Sequence, residues 1–247
     1  MALFGEFHRK SFGASIRRGR PSDSRCRSSA GFGRAPQQRA WQPTRPPVRQ
    51  PRSTTAACEA DPLVLVIDES GSTRTSFRTA SESGLTRMAG IQTAAEQYLQ
   101  QLLKREPHVP VAVIGFSDAA TLYHGLSPVG QAFDALVQAV KRLHPQNRTN
   151  LTAGLDAAIG QISRSTAHRG TIAVITDGAA NVQTEQLPDL IALARSRRIR
   201  VYAIGVGNDG DGDFNRDTLF NMARSTGGWY YSAESFSQLC TVLMHLP

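Results

Sequence analysis

Cysteine is scarce in this sequence. Cys26, Cys58 and Cys240 are the only three in 247 residues, too few for a disulfide framework and without the C-x-x-C spacing of a thiolate zinc site. Two readings of them stand: free thiols in a reducing cytosol, or a bridge between Cys58 and Cys240 that would join the two ends of the folded region. Long apolar runs are absent too. None approaches the roughly 20 residues of a membrane-spanning helix, and the N-terminus has no apolar core of about 7–15 residues such as a secretory signal carries. A cytoplasmic location is therefore expected, with organellar targeting by a basic leader as the alternative. Acidic residues are few in the first 60 positions, 3 Asp/Glu against 12 Lys/Arg, whereas residues 61–247 hold 17 against 16. The net charge of +8 thus belongs to the N-terminal segment and says nothing about what the rest binds.

Residues 1–60 are rich in Arg, Ser, Pro and Gly, as in Ser15-Ile16-Arg17-Arg18-Gly19-Arg20 and Arg45-Pro46-Pro47-Val48-Arg49. Such a stretch buries too little apolar surface to offset its ordering entropy, so disorder is expected. An inert tail, an electrostatic grip on nucleic acid or an anionic surface, a transit peptide and a polyproline ligand all remain open.

From Asp61 the pattern changes. Leu63-Val64-Leu65-Val66-Ile67, Val111-Ala112-Val113-Ile114-Gly115-Phe116, Thr171-Ile172-Ala173-Val174-Ile175-Thr176 and residues 199–206 read as buried strands. Residues 229–231 add another, and Thr121-Leu122-Tyr123 a short antiparallel edge strand. Helical spacing marks 91–103, 133–143, 151–162, 187–197, 219–225 and a last helix from Phe236. Alternation of this kind predicts one α/β domain over 61–247: a doubly wound, mostly parallel sheet of about six strands, Rossmann-like, with helices on both faces. Residues 73–88 form a polar segment longer than the usual connection of about 2–6 residues, which makes it a candidate selectivity loop.

The chemistry gathers at strand ends. Asp68-Glu69-Ser70-Gly71-Ser72 follows the first strand, Asp177-Gly178 closes the strand ending at Thr176, and Thr149 lies in the loop before the third helix. Ligands bind at the carboxyl ends of strands in open α/β sheets. Two carboxylates and several hydroxyls, without Cys or His, suit a hard cation such as Mg²⁺ or Mn²⁺. Neutral hydroxyl ligands leave such an ion under-neutralised, so an outside carboxylate is expected to complete it.

These residues carry a resemblance. The run Val64 to Ser72, the run Arg148-Thr149-Asn150-Leu151-Thr152-Ala153-Gly154-Leu155 and Ile175-Thr176-Asp177-Gly178 resemble a von Willebrand factor type A domain. Val201-Tyr202-Ala203-Ile204-Gly205-Val206-Gly207 and the run Thr226 to Ala233 are similar to that family's closing strands. The resemblance covers about 61–247 in the family's order and implies a metal-ion-dependent adhesion site. Ser70, Ser72 and Thr149 would then bind Mg²⁺ directly or nearly so, and Asp68 and Asp177 directly or through water. Glu69, Gly71, Arg74, Asn150 and Gly178 are expected to face the partner, a protein offering an Asp or Glu carboxylate to a domain expected to be monomeric. The function implied is non-catalytic, a cation-dependent protein-binding module.

Rival patterns are weaker on physical grounds. Asp209-Gly210-Asp211-Gly212-Asp213 starts like a Ca²⁺ loop but has Phe214 at the sharp turn and Phe220 at the final ligand position, so a solvated turn is expected. Gly205-Val206-Gly207-Asn208-Asp209-Gly210 fits G-x-G-x-x-G, yet aspartates crowd the place of the pyrophosphate. Gly115-Phe116-Ser117-Asp118-Ala119 has the outline of a nucleophile elbow, with His124, His144 and His168 as bases, but strand rather than helix follows. A metal-dependent hydrolase of the phosphatase kind is the alternative function; it would want a carboxylate where Ser70 stands and a positioned lysine, and only Lys104 and Lys141 occur beyond residue 60.

Overall fold

Strand β1 (Leu63–Asp68) is buried along its whole length, and its alternating side chains divide between two cores. In the computed structural model Leu63, Leu65 and Ile67 enter one apolar cluster, while Val64 and Val66 enter the other. A continuous apolar run is what a strand covered on both faces requires. The structure describes residues 60–77, 82, 84–146, 148–167, 169–178, 184–207 and 214–247. Expectations for 1–59 (disorder, the Cys58 bridge), for His168, for 78–81 and 83 of the polar segment and for the 209–213 run lie outside the described residues.

After β1 come a 3₁₀ turn (Gly71–Arg74), α1 (Arg87–Arg105), β2 (Pro110–Phe116), β3 (Ala120–Pro128), α2 (Val129–Lys141), α3 (Leu151–Arg164) and β4 (Gly170–Thr176). The chain ends with α4 (Leu187–Ser196), β5 (Ile199–Val206), α5 (Arg216–Thr226), β6 (Tyr230–Ala233) and α6 (Phe236–Met244). The six strands form one sheet in the order β3-β2-β1-β4-β5-β6. Every pairing is parallel except β2 with β3. Helices α1, α2 and α6 contribute to one cluster, and α3, α4 and α5 to the other. Each fully buried Leu, Ile or Val in these layers is worth about 1.5–3 kcal/mol relative to exposure.

Two boundaries differ from the sequence expectation. Strand β3 runs nine residues rather than three, because Ser117-Asp118-Ala119 turns the chain straight back and Phe116 pairs with Ala120. Its half-exposed face lacks the apolar continuity that marks a core strand. Helix α1 starts at Arg87, capped by Thr86, whose Oγ1 accepts from Ala89 N at 3.2 Å. The first turn buries Arg87 and Met88, and a buried arginine is invisible to apolar periodicity. No helix among the described residues is long and apolar enough to cross a membrane.

The order of the strands positions the site. From β1 the chain crosses by α1 to β2 on one side, and β4 lies on the other. The connections therefore diverge between β1 and β4, and a crevice opens at their carboxyl ends.

Candidate metal centre

Asp68 ends β1 and Asp177 immediately follows β4, so the sheet itself sets two carboxylates side by side with 0% exposure each. Asp68 is held from two directions: Ser70 N donates to Oδ1 at 2.7 Å, and Thr176 Oγ1 donates to Oδ2. The 3₁₀ turn then folds Ser70 and Ser72 over the strand end. Thr73 Oγ1 donates to Ser70 O at 2.7 Å and Thr75 Oγ1 to Ser72 O at 2.8 Å, which fixes the turn. The Oγ atoms of Ser70 and Ser72 are 2.8 Å apart, and Ser72 Oγ donates to Asp177 Oδ1 at 2.8 Å.

Thr149 joins this ring across Gly178. A Cβ built on Gly178 would lie 2.8 Å from Thr149 Oγ1, 3.2 Å from Ser70 Oγ and 3.3 Å from Ser72 Oγ. Three hydroxyl oxygens from two loops thus converge on one point beside a third loop, with the carboxylates next to it. All five residues named from the sequence meet here. Hydroxyls and carboxylates are the donors a hard divalent cation takes, and among the described residues no group of three or more His, Cys, Asp or Glu side chains is placed to hold a metal. The set is one of hard oxygen donors that fits a divalent cation, without thiolate or imidazole among its five residues.

Electrostatics agree with a site built for a cation. Burial pushes the Asp68 carboxyl above its usual range, against hydrogen bonds from Thr176 and Ser70. Burial, then the neighbouring Asp68, pushes Asp177 up to about 7, although Ser72 and Arg87 pull it down. Two acids confined together in low dielectric resist joint ionisation unless positive charge arrives.

The residues expected to face a partner divide. Gly71 and Gly178 are half-buried at the rim, and Arg74 is exposed, its Nη2 donating to Pro145 O at 3.1 Å. Glu69 and Asn150 point elsewhere. Strand alternation continues one residue past Asp68, so the Glu69 side chain turns to the opposite face with 0% exposure. There its Oε1 accepts from Tyr123 Oη at 2.8 Å and His144 N at 3.0 Å, while Oε2 is buried without a hydrogen-bond partner among the described residues. Gly115 leaves it room, since a Cβ there would overlap Glu69 Oε2. Asn150 caps α3: Oδ1 accepts from Ala153 N and Nδ2 donates to Asp118 O, each at 3.0 Å. Neither offers its side chain outward. Ser117 of the elbow-like stretch is buried and donates to Gln146 Oε1 at 2.8 Å, in a hairpin rather than a strand–helix turn.

Two neighbours of the five residues escaped the sequence reading. Thr176, one residue before Asp177, was readable as a donor to the adjoining strand end. Arg87 gave no signal: its Nη1 lies 3.3 Å from Asp177 Oδ2, both side chains being buried.

The model of the von Willebrand factor type A domain matches residues 63–244. The chain belongs to that family. The chain is 19% identical over 156 residues to an uncharacterized protein of Borreliella burgdorferi, covering 56% of this chain and 46% of that protein. The chain thus spans less than half the length of this curated relative. Among solved structures, the PilB minor pilin from Streptococcus sanguinis superimposes with a TM-score of 0.58 at 16% identity, over 75% of this chain and 60% of that one. Proximal thread matrix protein 1 from the mussel byssus, with a zinc-occupied MIDAS motif, gives 0.58 at 22% identity, over 75% and 44%. Identities this low establish a shared fold. A domains of this family typically mediate protein–protein interaction, some of them through a bound divalent metal.

Proposed function

We propose that this A domain is a divalent-cation-dependent protein-binding module, in which Asp68, Ser70, Ser72, Thr149 and Asp177 hold Mg²⁺ or Mn²⁺. The observation that carries the reading is the convergence of three hydroxyl oxygens on the space beside Gly178, flanked by two buried carboxylates. When bound, the cation supplies a Lewis-acidic position that takes one more anionic oxygen. The residues of the chain do the rest: Thr176 and the Ser70 backbone orient Asp68, and Ser72 links the turn to Asp177. The partner supplies an Asp or Glu carboxylate, approaching over Gly71, Arg74 and Gly178. The mussel and pilin neighbours, one a thread matrix protein and the other a pilus subunit, fit a binding role better than a catalytic one.

The test is thermal unfolding of the chain with Mg²⁺, with Mn²⁺ and with EDTA, for wild type and Asp68→Ala. A ligand of the native state stabilises it by about 2.7 kcal/mol at a hundredfold excess over its dissociation constant. Wild type should show a rise in midpoint that saturates with metal. Asp68 is buried with a raised pKa, so its removal relieves a cost in the metal-free chain, and Asp68→Ala should fold yet lose the rise. An equal rise in Asp68→Ala would refute the reading.

A further inference from the structure

Arg87 stands where the family likeness gives no instruction. It opens α1, its backbone N donates to Thr75 O at 2.8 Å, and its side chain is 4% exposed. The guanidinium donates to Asp177 Oδ2 at 3.3 Å while Ser72 donates to Oδ1 at 2.8 Å. One oxygen of Asp177 therefore faces the ring of hydroxyls, and the other faces a fixed cation. An arginine keeps its charge at any pH a protein survives, and here water does not screen it.

With both carboxylates ionised, Arg87 offsets one of the two negative charges that Asp68 and Asp177 turn toward a divalent ion, while the other buried carboxylate, Glu69, turns to the opposite face against Tyr123. Against the groups that face it the ion overshoots neutrality by one positive charge. Excess charge in a buried site is costly, and a second anion removes it. We propose that Arg87 is a resident counter-cation that makes the centre a poor site for a bare divalent ion and a demanding one for a carboxylate. It lowers the affinity for metal alone and leaves the loaded centre positive, so metal and carboxylate bind cooperatively. This inference rests on the metal-bridging reading above and says which residue makes the bridge depend on the partner's charge. It also accounts for a buried arginine at the start of a helix, where the dipole favours acids instead.

The test is calorimetric titration of the full chain with Mn²⁺, in chloride and again in acetate as the probe carboxylate, for wild type, Arg87→Met and Arg87→Lys. Wild type should bind Mn²⁺ weakly in chloride and more tightly in acetate. Arg87→Met should bind Mn²⁺ roughly tenfold or more tightly in chloride, as expected for removing one unscreened like charge, and should lose its response to acetate. Arg87→Lys, which keeps the charge, should resemble wild type. Equal affinity of Arg87→Met and wild type overturns the inference while leaving the metal site standing. Weaker binding by Arg87→Met also overturns it, since the arginine would then serve only to hold Asp177 in place. If Arg87→Met does not fold, the wild-type response decides: Mn²⁺ affinity indifferent to acetate is the overturning result. Absence of Mn²⁺ binding in every protein removes the metal reading itself, and this inference with it.

Discussion

Gly178 shows how little space the centre has to spare. Its missing Cβ would sit 2.8 Å from Thr149 Oγ1 and within 3.3 Å of both serine hydroxyls, closer than ordinary carbon–oxygen contact. Gly178→Ala should therefore put a methyl group where the three oxygens converge. The expected outcome is loss of the metal-induced rise in melting temperature, together with a lowered metal-free midpoint because buried Thr149 must shift to admit the methyl group. A midpoint that still climbs with Mg²⁺ in Gly178→Ala would show that the cation lies elsewhere. Asp177 makes the second residue-level prediction. Its carboxyl is pushed up to about 7, from an ordinary 3.8, so the metal-free fold binds a proton that the unfolded chain has released. That contribution to stability is present below pH 4 and is lost as pH rises through 7. Titrated by denaturant in EDTA, the Asp177→Asn variant should lack this part of the decline. Metal competes with the same proton, so apparent Mn²⁺ affinity should rise between pH 6 and pH 8.

Elements explain which site residues were legible. Asp68 and Asp177 could be read because apolar runs of strand length deliver each to a carboxyl end, and Thr149 because it precedes a periodic helix. Asn150 carried the wrong assignment although its own signal was present: an Asn directly before Leu151 is an N-cap, and it caps α3 through Ala153 N. Replacing it by alanine should cost about 0.5–2 kcal/mol, seen as a lower denaturant midpoint, and should loosen the Thr149 loop and so weaken metal binding. Glu69 was likewise misplaced by treating the turn as starting at Asp68, whereas strand alternation persists one residue further. Its pocket exists because Gly115 has no side chain, a relation between strands β1 and β2 that no local pattern encodes. Gly115→Ala should therefore force the buried carboxylate out of register and destabilise the domain by about 1–3 kcal/mol. Arg87 was illegible for a third reason: apolar periodicity marks helices by the residues they bury, and this helix buries a charge.

At the scale of the molecule, exposed arginines gather at the end of the sheet opposite the buried carboxylates. The carboxylates lie where β1 and β4 end. Arg195, Arg197, Arg198 and Arg200 are exposed around the turn that leads from α4 into the beginning of β5, which is parallel to β4 and so starts at the other end of the sheet. Helix α5 brings exposed Arg224 to the same end, tied there by the hydrogen bond of 3.0 Å from Val201 N to Thr226 Oγ1. Arg195 and Arg224 line one groove of about 630 Å³ with Asn221, Ser225, Thr226 and Gly227, none of them acidic. The sum over residues 61–247 hid this, because 16 basic and 17 acidic residues nearly cancel, yet a local field depends on where the charges sit and not on their total. The N-terminal segment, with 12 Lys/Arg against 3 Asp/Glu, obscures the effect in the whole chain. Chromatography on immobilised heparin separates the two contributions. The full chain should elute at high salt, and a chain beginning at Ala60 should still be retained at low salt despite its slight negative balance. Replacing Arg197 and Arg198 by alanine in the shortened chain should abolish that retention, and adding Mg²⁺ should not restore it, because the two ends act independently. Passage of the shortened wild type straight through the column would mean that the basic segment alone carries the attraction and that the arginines of the domain are too well hydrated to matter.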